Sequence, residues 1–184
     1  MRKVLFLFGQ LTDEDVEWLL AHGRPRALPA GAILIRQGAP IDAVFILLAG
    51  KLSVWLAGRE EREIARLNAG EIVGEMSFLD ARPPSATVKG AEDSTVFAIP
   101  RAGLAAKLAA DTGFAARFYR ALAIYLSTTV RERHRGLGYG ADTVPTEATA
   151  ADDDDADELN PVLLDTVAIA GERFDRMVKR VLGD

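Results

Sequence analysis

The residues of this chain whose types and spacing could do chemistry lie in one stretch, GEMSFLDARPPSATV, from Gly74 to Val88. Gly74 removes a side chain where backbone must come close to another group. Glu75 offers a carboxylate that accepts a hydrogen bond from a hydroxyl. Met76 to Leu79 are expected to form a short helix whose free first-turn amides, beginning with those of Met76 and Ser77, face an anion. Ser85 adds a hydroxyl, and the amides of Ser85 and Ala86 can donate to phosphate oxygens. Each residue also has a plain structural reading. Gly74 permits a turn, Glu75 caps the short helix, and Ser85 begins a strand. The joint spacing, rather than any one residue, argues for a pocket.

The rest of the composition removes several competing chemistries. The 184 residues contain no cysteine, which excludes disulfides, thiolate metal sites and cysteine nucleophiles and fits a reducing compartment. Two histidines, His22 and His134, stand far apart, so a histidine-based metal centre is not expected. The formal net charge is −5 and unevenly spread. Residues 151–184 carry ten acids and four bases, whereas the preceding 150 residues hold 17 acids and 18 bases. Nothing resembles the basic footprint of a nucleic-acid binder. The apolar run Val4 to Phe8 is too short for a signal-peptide core, and no stretch approaches the ~20 apolar residues of a membrane span. A cytoplasmic protein is expected.

The elements that must position Gly74 to Val88 follow from patterning. Thr12-Asp13-Glu14-Asp15 is a helix start, with Thr12 as N-cap and acids in the first turn. Val16, Leu19 and Leu20 supply its apolar face, Gly23 and Pro25 end it, and Phe8 could pack back against it. From Arg26 to Pro100 short segments rich in branched residues alternate with glycines: AILI, AVFILLA, KLSVWLA, EIARL, ATVKG and TVFAI. That spacing predicts a sandwich, roll or barrel. KLSVWLA alternates, with Leu52, Val54 and Leu56 expected on one face.

After Pro100 the texture is helical. Leu104 and Leu108 stand four apart, and a longer helix is expected from Asp111 to about Arg135, striped by Phe114, Phe118, Leu122 and Tyr125 or Leu126. The stripe serves either core packing or pairing with a second copy. Residues 136–158, acidic and without periodic hydrophobicity, read as a flexible linker. Residues 159–184 read as an amphipathic helix opened by Asn160-Pro161, with Leu163, Val167, Ala170, Phe174, Val178 and Val181 on one face. A lone helix of this length is marginal in water, so that face must dock, on its own domain or on an unknown protein partner.

Four segments together resemble the cyclic nucleotide-binding domain family: Leu34 to Gly38, Val44 to Val54, Gly70 to Ser77 and Ser85 to Val88. The resemblance covers about Leu11 to Arg135. It implies a mainly β fold, an eight-stranded β-roll of jelly-roll topology with flanking helices and a long C-terminal helix. Residues 1–135 would form that domain. It implies cAMP or cGMP as ligand, with no cofactor required, and a pocket lined by Gly74, Glu75, Met76, Ser77, Ser85 and Ala86. Glu75 would take a ribose hydroxyl. Thr129 falls where relatives place a long-helix threonine that contacts the purine, sometimes across a dimer. Its plain reading is a helix-surface residue.

The chain departs from the family at one point. Relatives carry an arginine nine residues after the glutamate, where it clamps the cyclic phosphate; here that position is Pro84, which has neither a cation nor a backbone donor. A hydrogen bond to a charged group contributes about 1.5–3 kcal/mol, so its loss weakens binding roughly ten- to a hundred-fold. Arg82, two residues earlier, is the candidate replacement, although Pro83-Pro84 stiffens the segment between.

These observations support a non-catalytic regulatory module with a weak or altered cyclic nucleotide pocket, expected to be a homodimer through residues 111–135. The alternative is a scaffold that uses the roll and the last helix for assembly and takes no cyclic nucleotide, or takes a different ligand such as a cyclic dinucleotide. A metal enzyme on a related barrel would need clustered histidines, and Arg26 to Pro100 has none. Family members that read DNA add a helix-turn-helix after the long helix. Here an acidic stretch follows, which repels phosphate, so DNA is not an expected partner.

Overall fold

The computed structural model describes residues 4–58, 61–136 and 161–183. The expected linker, from residue 137 onward, lies outside them, as do the side chains of Leu163 and Val167. Eight antiparallel strands form two four-stranded sheets: β1 (Arg24–Leu28), β2 (Ile33–Ile35), β3 (Ala43–Ala49), β4 (Lys51–Leu56), β5 (Arg62–Asn68), β6 (Ile72–Val73), β7 (Thr87–Gly90) and β8 (Ser94–Pro100). One sheet has the order β1-β8-β3-β6 and the other β2-β7-β4-β5. This is the jelly-roll β-roll that the resemblance implies.

Two of these strands are not among the segments picked out by composition. β1, RPRAL, carries Pro25 and pairs only with β8, and a sheet edge is where a strand tolerates proline. β6 is two residues long, too short to show a period. β4 departs from simple alternation because its pairing with β5 shifts between Val54 and Trp55. Leu52 is accordingly fully buried and Val54 half-buried, but Leu56 is 39% exposed.

β3 is buried on both faces, which is why AVFILLA shows no alternation. Ala43, Phe45 and Leu47 fill the roll interior with Leu34, Ile35, Leu52, Val73 and Val88. Val44, Ile46 and Leu48 face the opposite way and meet the helices. Those helices are α1 (Val4–Gln10), α2 (Asp13–His22), α4 (Arg101–Ala110), α5 (Thr112–Gly136) and α6 (Pro161–Leu182); α3 (Glu75–Asp80) lies within the Gly74 to Val88 stretch. At the start of α2 the Thr12 hydroxyl accepts the Asp15 amide and the Asp15 carboxylate accepts the Thr12 amide.

Asp15 is buried and also binds Arg117 of α5 through two hydrogen bonds, of 2.6 and 2.9 Å. Burial pushes its carboxyl up, but the bonds from Arg117 and Thr12 outweigh this and hold it below the ordinary value.

The stripe on α5 is core. Phe114, Phe118, Ala121, Leu122 and Tyr125 are buried within the chain, leaving Tyr119 and Val130 exposed. The run at Leu7 and Phe8 belongs to α1, which lies against both α5 and α6. On α6 the buried side chains are Ala170, Phe174 and Met177, with Val178 and Val181 partly covered. Phe174 meets Phe8 with ring centres 6.1 Å apart. Arg173 donates to the carbonyls of Phe8 and Leu11 and to Asp13, and Arg180 pairs with Glu17. The apolar face of the last helix is therefore docked on its own domain. Among the described residues no helix is long and apolar enough to cross a membrane.

Candidate functional site

The stretch from Gly74 to Val88 forms one side of a cleft of about 490 Å³. β6 delivers the chain to Gly74, which turns it with φ of 86° and opens α3. The left-handed backbone favours glycine, and a Cβ there would also stand close to the movable Ile41 Cδ1 (2.9 Å) and to the Ala43 carbonyl (3.2 Å). Glu75 and Ser77 are buried in the first turn of α3, while Met76 is 57% exposed at the rim. β4 and β5 contribute Val54, Ala65 and Leu67 to its lining, and the long helix contributes Tyr125, Leu126, Thr129 and Val130.

Seven of the eight expected residues, Gly74, Glu75, Met76, Ser77, Ser85, Ala86 and Thr129, line this one cleft. Thr129 holds its hydroxyl on the Tyr125 carbonyl at 3.0 Å, a local helix contact. Arg82 is the exception. It is absent from the lining, its side chain is 83% exposed, and it leans on Asp80 through its amide (3.0 Å) and its guanidinium (4.0 Å). Two residues on, Pro84 does line the cleft, and the two prolines stiffen the segment between.

Pro84 itself faces the cleft and is buried. Its carbonyl accepts the Gly38 amide at 2.9 Å, and the neighbouring Thr87 hydroxyl accepts the Gln37 amide at 3.1 Å. The turn after β2 is thus tied to the segment carrying Ser85 and Ala86. The proline is built into the wall of the site.

Several site residues escape sequence reasoning. Glu71, buried beside the Gly70 turn, and Arg66, on β5, both line the cleft. Arg66 donates to Glu63 at 2.6 Å and its side chain is 68% exposed. Arg101, at the start of α4, reaches back to donate to the Ser77 carbonyl (2.7 Å) and the Ile41 carbonyl (3.2 Å). Phe78 of α3 meets Phe118 of α5 edge-on at 6.3 Å. Only the position of Arg101 directly after a strand-ending proline marks it in the sequence; its targets are 24 and 60 residues away. Among the described residues no group of histidines and carboxylates could hold a metal ion.

Comparison with known proteins places this geometry. The family profile described as the cyclic nucleotide-binding domain matches residues 25–111. The cyclic AMP receptor protein of Thermus thermophilus is 34% identical over 97 residues, covering 52% of this chain and 45% of that protein. A cyclic nucleotide-gated potassium channel of Rhizobium etli is 33% identical over 93 residues, covering 50% of this chain and 25% of the channel. This chain thus spans less than half the length of these curated relatives. Among solved structures, the catabolite activator protein of Thermus thermophilus superposes with a TM-score of 0.60 at 29% identity, over 74% of this chain and 63% of that one. The roll, its cleft and the matched sequence agree: residues 25–111 of this chain belong to the cyclic nucleotide-binding domain family.

Proposed function

We propose that this chain is a non-catalytic regulatory module whose cleft takes a cyclic nucleotide, cAMP or cGMP, weakly or in an altered manner. The observation that carries the reading is the convergence of Gly74, Glu75, Ser77, Ser85, Ala86 and Thr129 on one cleft with Pro84 in its wall. Glu75 takes a ribose hydroxyl, and the amides of Ser85 and Ala86 take the phosphate without help from a cation at position 84. Occupancy is coupled to the helices through three contacts already made: Arg101 to the Ser77 carbonyl, Phe78 to Phe118, and Tyr125 to the Ile72 carbonyl. A ligand that shifts α3 therefore shifts α4 and α5. Exposed Tyr119 and Val130 on α5 support a homodimer contact within residues 111–135 as one output.

The test is calorimetric titration with cAMP, cGMP and cyclic dinucleotides. Binding of a cyclic mononucleotide that vanishes in Glu75→Ala is the expected result. No heat with any of them at concentrations on the order of millimolar favours the scaffold reading, in which the roll and α6 serve assembly. Sedimentation with and without ligand reports the dimer contact.

A further inference from the structure

Arg101 stands outside the cleft lining yet touches what shapes it. Resting on the cyclic nucleotide reading above, we infer that Arg101 is a positioning residue of this site: its guanidinium braces Gly74 to Ser77 from behind and so sets how tightly the cleft binds. Its root is rigid. Arg101 follows Pro100, which pairs with Ala43 across β8 and β3, and its amide donates to the Asp42 carbonyl at 2.8 Å. From that root the two Nη groups reach different segments, one donating to the Ile41 carbonyl at 3.2 Å and the other to the Ser77 carbonyl at 2.7 Å.

Both targets bear on the site. The last four carbonyls of a helix have no partner within it, and in the six residues of α3 that set begins at Ser77. Ser77 is buried, and Arg101 supplies its carbonyl with a donor from across the fold. Ile41 lies beside Gly74, its Cδ1 only 2.9 Å from where a Cβ on that glycine would stand. One side chain therefore holds α3 and the residue that packs on the turn before it. A guanidinium suits this task because its planar fork presents donors in fixed directions, whereas a lysine ammonium is a single point charge. The Phe78 ring lies against the same guanidinium, 5.8 Å from its central carbon.

Without this brace α3 is still tethered by Phe78, whose amide donates to the Gly74 carbonyl and whose ring meets Phe118. The helix then loosens rather than unfolds. A ligand must order Glu75, Met76 and Ser77 as it binds, and affinity falls by that cost.

Calorimetric titration of Arg101→Lys with cAMP, paired with hydrogen exchange of the same protein without ligand, tests this. The lysine keeps the charge and loses the fork. The expected result is a cAMP affinity roughly tenfold or more below that of the unaltered chain. Exchange at Phe78 to Asp80 should also quicken by roughly tenfold, while β3 and β8 stay protected. A merely structural role would lower the unfolding temperature and leave the affinity of folded molecules unchanged; that outcome overturns the inference. Unaltered exchange in α3 overturns it as well, whether or not nucleotide binds. If the unaltered chain binds no cyclic nucleotide while α3 exchange quickens in the variant, the cyclic nucleotide reading falls and the bracing of α3 by Arg101 stands.

Discussion

The Tyr125 hydroxyl donates to the Ile72 carbonyl at 3.0 Å, joining the long helix to the strand that delivers the chain to Gly74. Both groups are buried, and Ile72 and Tyr125 also line the cleft. One hydrogen bond thus spans 53 residues and fixes how α5 sits against the site. Tyr125→Phe keeps the ring but removes this donor from a buried carbonyl, which should cost about 1–2 kcal/mol. Urea denaturation measures it. An unchanged midpoint would mean that the bond contributes nothing to the position of α5.

Gly74→Ala should destabilise the roll more than an ordinary exposed substitution does. The left-handed backbone costs a non-glycine residue roughly 1–2 kcal/mol, and the new methyl would crowd Ile41 Cδ1 at 2.9 Å. Thermal unfolding checks the size of the loss. Equal stability of the two proteins would show that the turn relaxes freely.

Stability should fall on acidification through Asp15. Its folded-state value is depressed, so its contribution is fully present above the ordinary carboxylate value near 3.8 and is lost as pH falls through the lower folded value. Asp13, held down by Arg173, and Asp111, held down by Lys107, add to the same acid limb. Asp15→Asn removes the carboxylate from Arg117 and should cost about 2 kcal/mol at neutral pH, with a shallower decline below pH 4. Urea midpoints at neutral and acid pH measure both. Parallel pH profiles for the two proteins would discount the Asp15 contribution.

Phe174→Ala should release α6 without unfolding the roll. The ring is 2% exposed and packs on Phe8, and truncations of this kind cost about 3–5 kcal/mol. Hydrogen exchange should accelerate by roughly a hundredfold or more in α6 and α1, while β3 and β8 remain protected. Uniform acceleration would instead make α6 part of one cooperative unit with the sheets.

Pro84→Arg should raise affinity for cAMP at least about tenfold. Thermal unfolding checks that the variant is folded, and an unchanged cAMP affinity in a folded variant would mean that position 84 does not face the phosphate.

Much of the fold was legible because its signals are local. The Thr12 cap, the glycine-punctuated strands and the stripe at Phe114, Phe118 and Leu122 each depend on neighbours within a few residues. β1 and α1 were not legible. Pro25 argues against a strand until the edge position in the sheet is known, and Val4 to Phe8 is too short to declare a period. Met177 lay hidden in the same way: Val178 is partly covered, as its spacing predicts, but its neighbour Met177 is fully buried beside it.

By itself the sequence determined the family resemblance, six of the eight strands, the helices after Thr12 and the two ends of the candidate cleft, Gly74 to Ser77 and Ser85 to Ala86. Residue type and spacing along the chain suffice for these. Only the tertiary structure decided that Pro84 is walled in by the Gly38 amide, that Arg82 turns out to Asp80, and that the face of α6 is spent on α1. Each of these depends on where a side chain or carbonyl finds its partner across the fold, and packing between distant segments sets that direction.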